Sequence, residues 1–202
     1  MAGCPTIHSP TTYLSSPSMK PLLFSLLFVL ALPVVAQDTT NGEDFPARAE
    51  WRAKWQNSLA YTQEALSAIP DSSLNFRPTE GQMSVQEQIQ HLSGNVYGLS
   101  RRFLNYEPAG FSEQELAKKL SAETLSRQEL EQLLNDAYAF GIDAVYSFEA
   151  EEWDTMVPNF FAGPRSRRTI IYLLQDHATH HRAQVLIYMR LLGLEPPRYR
   201  GW

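Results

Sequence analysis

The sequence predicts an all-α protein, a four-helix bundle with a long loop before its last helix. Four long segments repeat apolar residues at spacings of three and four, the period of a helix buried along one face. No segment alternates apolar and polar residues over a useful strand length. Two serine-led capping boxes mark where two of the helices begin. Amphipathic helices that share one core make a bundle.

The first helix opens at Pro46, where a first turn tolerates proline. It carries Trp51, Trp55, Leu59, Thr62, Leu66 and Ile69 on one stripe until Pro70 and Asp71 stop it. The second begins at Ser84, whose capping partner is Glu87, and its stripe is Val85, Ile89, Leu92, Val96, Leu99 and Phe103. Residues 105 to 110 end it, and a short helical turn or two is expected between Phe111 and Leu120. Ser126 and Glu129 form the second capping box, opening a third long helix that buries Leu130, Leu134, Ala137, Ala144 or Val145, and Phe148. The fourth long helix runs from about Ser166 to Leu192, with Gly193 at its end and Pro196 and Pro197 beyond. The connection from Trp153 to Arg168 is long enough to suggest function, but an ordinary crossover explains it as well.

Upstream of the bundle, Lys20 precedes an apolar run from Pro21 to Ala36, after which the chain turns polar at Gln37. A basic start, a short apolar centre and small residues at the end describe a secretory signal peptide. Residues 1–36 are therefore expected to be a signal segment, with Met19 as the true start, and residues 37–44 a flexible leader to the domain at 45–202. An exported protein, periplasmic or extracellular, follows from that expectation; a retained segment would attach it to a membrane. The only cysteine, Cys4, lies in this upstream part, so the remainder has neither disulfides nor thiolate ligands.

Of 17 lysines and arginines only Lys20 lies upstream of Gln37, which leaves 16 against 22 acids and a net charge of −6. The short run at Arg165, Arg167 and Arg168 reads as solvated surface, and no nucleic-acid partner is expected.

The chemistry concentrates in the fourth long helix. Ile170, Leu174, His177, His181, Gln184, Tyr188 and Leu192 follow one another at spacings of 4, 3, 4, 3, 4 and 4, a single helix face. Two histidines one turn apart replace hydrophobes in that stripe. Side chains at such positions are roughly 5–6 Å apart at Cβ, close enough for one metal ion to bridge. A pair of core histidines held by hydrogen bonds fits the same spacing. His180 projects to the flank, about 60° from His177, and reads as a supporting or surface residue. His91, on the second helix, lies about 120° from the centre of its apolar stripe. Periodicity alone makes it a surface residue, yet Gln88, His91 and Asn95 form their own uncharged polar row. Glu87 is the nearest acid to His91, although its place in the capping box accounts for it. Gln184 is a candidate support for His181 or simply a polar core residue.

The segment from Asn75 through Arg77, Gly81 and Ser84 to His91, then His177, His181, Arg182 and Gln184, then Gly193 with Pro196 and Pro197, resembles the DinB-like superfamily. The resemblance runs from Ala47 to about Arg198. It implies a four-helix bundle and a divalent metal held by His91, His177 and His181; helix position, not the resemblance, makes Glu87, Gln88, Asn95, His180 and Gln184 the supporting candidates. Homodimers recur in that superfamily, so a homodimer is implied. Ala183 stands where the family commonly has glycine.

Zn²⁺ is the first choice for three imidazoles, with Ni²⁺, Fe²⁺ and Mn²⁺ open. Some members transfer groups to intracellular thiols, a cosubstrate scarce outside the cytoplasm. The function implied is a metal-dependent enzyme acting on a small molecule, a transferase or a hydrolase. A non-catalytic bundle binding a metal or ligand is the alternative.

Overall fold

The computed structural model describes residues 45–201. The expected signal segment and leader lie outside them. The described chain forms five helices: α1 (Pro46–Ala68), α2 (Val85–Phe103), α3 (Glu113–Leu120), α4 (Arg127–Tyr146) and α5 (Arg167–Leu191).

Each boundary has a local cause. Both capping boxes form: the Ser84 hydroxyl accepts from the Glu87 amide while the Glu87 carboxylate accepts from the Ser84 amide, and Ser126 and Glu129 repeat the exchange. Ser166 caps α5 by accepting from the Thr169 amide. The end of α5 is a Schellman turn, in which Leu194 N–H donates to Met189 O at 2.8 Å and Gly193 N–H to Arg190 O at 3.0 Å. Gly193 sits at φ +74°, a conformation that favours glycine.

α1, α2, α4 and α5 are the bundle, and α3 lies against α2. The principal packing of both α1 and α2 is on α4 and α5. The first two helices are thus diagonal to each other rather than neighbours, and α2 stands directly beside α5. Gly141 permits the close approach of three helices. A Cβ there would meet Val96 Cγ1 at 3.1 Å on α2 and the Trp55 ring at 3.3 Å on α1.

The core behind the site is aromatic and polar in part. Trp55 is fully buried, stacks on Tyr138 at 4.2 Å and donates from Nε1 to Tyr138 O at 3.0 Å. Arg182, which sequence spacing leaves unassigned, is buried: it donates to Ser58 Oγ and Thr179 Oγ1, and its guanidinium lies 5.2 Å from the centroid of Tyr61. Tyr97 also faces inward, 4.7 Å from Phe140.

The connection before α5 is pinned rather than free. β1 (Met156–Val157) pairs antiparallel with β2 (Arg165–Ser166), a two-residue ribbon too short to show as alternation. Arg167 bonds Glu152 at 2.7 Å and Arg168 pairs with Asp154, so this basic run holds the crossover to α5. Phe160 packs edge-on against Phe103 at 4.9 Å, which leaves Phe161 outward and 74% exposed. Among the described residues no helix is long and apolar enough to cross a membrane.

Candidate metal centre

α2 and α5 lie side by side, and that placement brings three histidines together. One ring nitrogen from each of His91, His177 and His181 falls within 4.8 Å of the others. Ring centroids are 4.6 Å apart for His91 and His181, 5.1 Å for His91 and His177, and 4.4 Å for His177 and His181. Burial grades across the group: His181 is buried, His177 half-buried and His91 exposed.

The donor atoms fit a single ion. Two imidazoles bound tetrahedrally at 2.0–2.1 Å place their nitrogens ~3.3 Å apart. His177 Nε2 and His181 Nε2 are 3.2 Å apart. The opposite nitrogen of His181 is held: its Nδ1 lies 2.6 Å from Gln88 Oε1. The Gln88 amide group donates from Nε2 to the Tyr188 hydroxyl at 3.1 Å, which turns Oε1 toward the imidazole. Because that oxygen can only accept, Nδ1 of His181 carries the proton and Nε2 presents its lone pair to the cluster.

Burial also keeps the His177 and His181 rings neutral. Removal from water lowers His181 to about 3 and His177 to about 4; the charges of the neighbouring histidines push in the same direction. Neutral imidazole is the form that binds metals.

The supporting residues expected from sequence divide. Gln88 is in direct contact with His181. His180 is exposed and lies edge-on to His181 at 5.0 Å. Asn95 is on the cleft wall beyond His91, its Oδ1 enclosed without a hydrogen-bond partner. Gln184 is half-buried and makes no hydrogen bond to the three histidines. Glu87 is occupied elsewhere. Its carboxylate takes the Ser84 amide at 2.6 Å and Arg77 at 3.1 Å, and these partners, the Ser84 amide first, hold it below the usual carboxylate range. Tyr188, read from sequence only as a core residue, is the anchor of Gln88. Its place seven residues after His181 on the same face was the available signal.

His91 lines an open cleft of about 800 Å³ that runs along α2. Arg77, Glu87 and Met83 flank one end, and Phe103 and Phe161 the other. His177 and His181 stand behind His91, off the cleft lining.

Fold and site together define a helical bundle with a three-histidine cluster opening on a cleft. Residues 40–201 match the DinB family, and the chain belongs to that family. Comparison with the curated proteins gives no match. Among solved structures, a DinB-like protein from Bacillus cereus superposes with a TM-score of 0.61 at 18% identity, covering 75% of this chain and 97% of that one. A conserved protein from Enterococcus faecalis gives 0.59 at 15% identity over 72% of this chain and 96% of its own. YfiT from Bacillus subtilis, described as a probable metal-dependent hydrolase with an unusual four-helix bundle topology, gives 0.59 at 16% identity over 75% and 91%. At these identities the likeness is one of fold.

Proposed function

We propose that this protein is a metal-dependent hydrolase of a small organic molecule, with one divalent ion held by His91, His177 and His181. The observation that carries the reading is the 3.2 Å separation of the His177 and His181 Nε2 atoms, with Gln88 fixing the tautomer of His181. A divalent ion there supplies Lewis acidity and a water nucleophile at neutral pH. His91 turns the site toward the cleft, where a substrate has room. Zn²⁺ is the ion we favour, because the donors are all imidazole nitrogens.

Hydrolysis is preferred to thiol transfer on two grounds. The description of YfiT points that way, and an exported protein would meet little low-molecular-weight thiol. Export itself, and assembly as a homodimer, belong to the same proposal. Glu87 is not assigned as a proton acceptor, since its carboxylate is engaged by Ser84 and Arg77.

The test is metal content by mass spectrometry on protein from Gln37 onward, purified without a histidine tag, beside His91→Ala and His177→Ala. About one ion per chain in the wild type, reduced in both variants, is expected, followed by turnover of ester or amide substrates in the metal-loaded form. Protein that refuses added Zn²⁺, Ni²⁺, Fe²⁺ and Mn²⁺ would sink the proposal and leave a structural or ligand-binding bundle.

A further inference from the structure

The cleft beside His91 has a composition that the metal alone does not explain. Its floor is the face of α2 on which Gly94, Gly98 and Arg102 follow His91, with buried Leu99 and half-buried Phe103 along its edge. Glycine weakens a helix interior, so each one on this face needs a reason. Gly94 has a packing reason, since a Cβ there would meet Leu120 at 3.2 Å. Gly98 has none: nothing lies within 4 Å of where its Cβ would be. A side chain at that position would project into the cleft. Its absence leaves a bare strip of helix between His91 and the apolar end formed by Leu99, Phe103 and Phe161.

Arg102 closes that end. It is exposed and lines the cleft, yet among the described residues it has no carboxylate or hydrogen-bond partner. The adjacent Arg101 is engaged twice, at 2.8 Å with Glu107 and at 3.4 Å with Glu113. Arg77, at the opposite end, is paired with Glu87. Among the described residues Arg102 is thus the cleft cation without a partner. It follows His91 by about three turns, ~16 Å along the axis and ~20° around it, so both side chains address one surface.

Resting on the metal reading above, we propose that the cleft selects an amphipathic anion. The reacting polar group lies at His91, an apolar body crosses Gly98 onto Phe103 and Phe161, and an anionic end group pairs with Arg102. A guanidinium without a partner offers a carboxylate a charge-assisted hydrogen bond, while a neutral end group gains only a weaker one.

Hydroxamates probe the parts separately in titration calorimetry on zinc-loaded protein. Acetohydroxamate reports the metal alone, octanoyl hydroxamate adds the apolar body, and suberic monohydroxamate adds the carboxylate, with its methyl ester as the neutral control. The wild type should bind suberic monohydroxamate about tenfold more tightly than the ester, the worth of one charged hydrogen bond. Arg102→Ala should erase that preference and leave acetohydroxamate unchanged. Gly98→Leu, a helix-favouring change whose folding circular dichroism verifies, should weaken both long probes and spare acetohydroxamate. A carboxylate preference that survives Arg102→Ala, or long-probe binding that survives Gly98→Leu, overturns this inference alone. Failure of acetohydroxamate to bind the zinc-loaded protein overturns the ligand-accessible ion that the hydrolase reading needs, and this inference with it.

Discussion

Replacing Gln88 by leucine tests whether the bond to His181 Nδ1 organises the cluster. The substitution keeps approximate volume and removes two hydrogen bonds, the 2.6 Å contact to His181 and the 3.1 Å contact to Tyr188. Without an acceptor on Nδ1, the His181 ring can protonate at either nitrogen and rotate, so Nε2 is no longer committed to the cluster. Losing such a partner costs 10–100-fold in metal affinity, about 1.4–2.8 kcal/mol. A second effect is independent of metal. Tyr188 is 1% exposed and its hydroxyl loses its donor, a buried loss of about 1–3 kcal/mol in folding stability. Competition against a chromophoric zinc chelator measures the first, and urea denaturation of metal-free protein the second. Gln88→Glu is the counter-experiment: a carboxylate still accepts from Nδ1, so zinc affinity should equal or exceed that of the wild type. If Gln88→Leu binds zinc within twofold of wild type, the tautomer argument is wrong, whatever happens to stability.

Two further expectations follow from burial and packing. His181 and His177 titrate near 3 and 4 in the fold, below the ordinary value of 6.5, so between pH 6.5 and about 4 the unfolded chain binds protons that the folded chain does not. Metal-free stability should therefore be full above pH 6.5 and fall with pH through this window, by on the order of 2–4 kcal/mol for the pair, after allowance for partial hydration. Chemical denaturation from pH 7.5 to 4.5 measures it, and a slope unchanged in the double variant His177→Gln, His181→Gln would refute the attribution. Two of the helical glycines, Gly141 and Gly98, should respond oppositely. Gly141→Leu, against Val96 and Trp55, should cost about 1–3 kcal/mol, whereas Gly98→Ala, facing open space, should gain about 0.5–1 kcal/mol; thermal melts giving the same sign for both would contradict the packing described.

The parts of this structure that sequence could reach are those set within one helix. Ser84 with Glu87, Ser126 with Glu129, and Gly193 are local devices, and they sit where their chemistry requires. The pairing of helices was not legible, because α1 and α2 are diagonal and a stripe does not say which neighbour covers it. His91 reads as a surface residue and is exposed; what its stripe does not reveal is that this flank of α2 stands beside α5. The centre of the α2 stripe is covered from more than one side, and the polar flank at Gln88 and His91 meets α5. Arg182 was illegible for the same reason: its burial depends on Ser58 and Tyr61, supplied by α1. Glu87 was legible in its structural role, and that role removes it from the chemistry.

The grading of burial across the histidines accounts for how such a cluster can be both rigid and accessible. His181 is enclosed, and its outer nitrogen is tied through Gln88 to Tyr188, a chain that returns to α5 itself. The bond from α2 to α5 thus fixes the helix pair and the imidazole together, and ring and backbone cannot drift independently. His91 contributes from the exposed side of α2, where water reaches it. If all three rings were buried like His181, an ion would be sealed as in structural zinc sites; if all were exposed like His91, nothing would hold the rings in place before binding. With the buried ring on α5 and the exposed ring on α2, an ion held by the three histidines would be approached from the side of His91 and the cleft. On the proposed function, substrate selection would fall to the residues that follow His91 along α2.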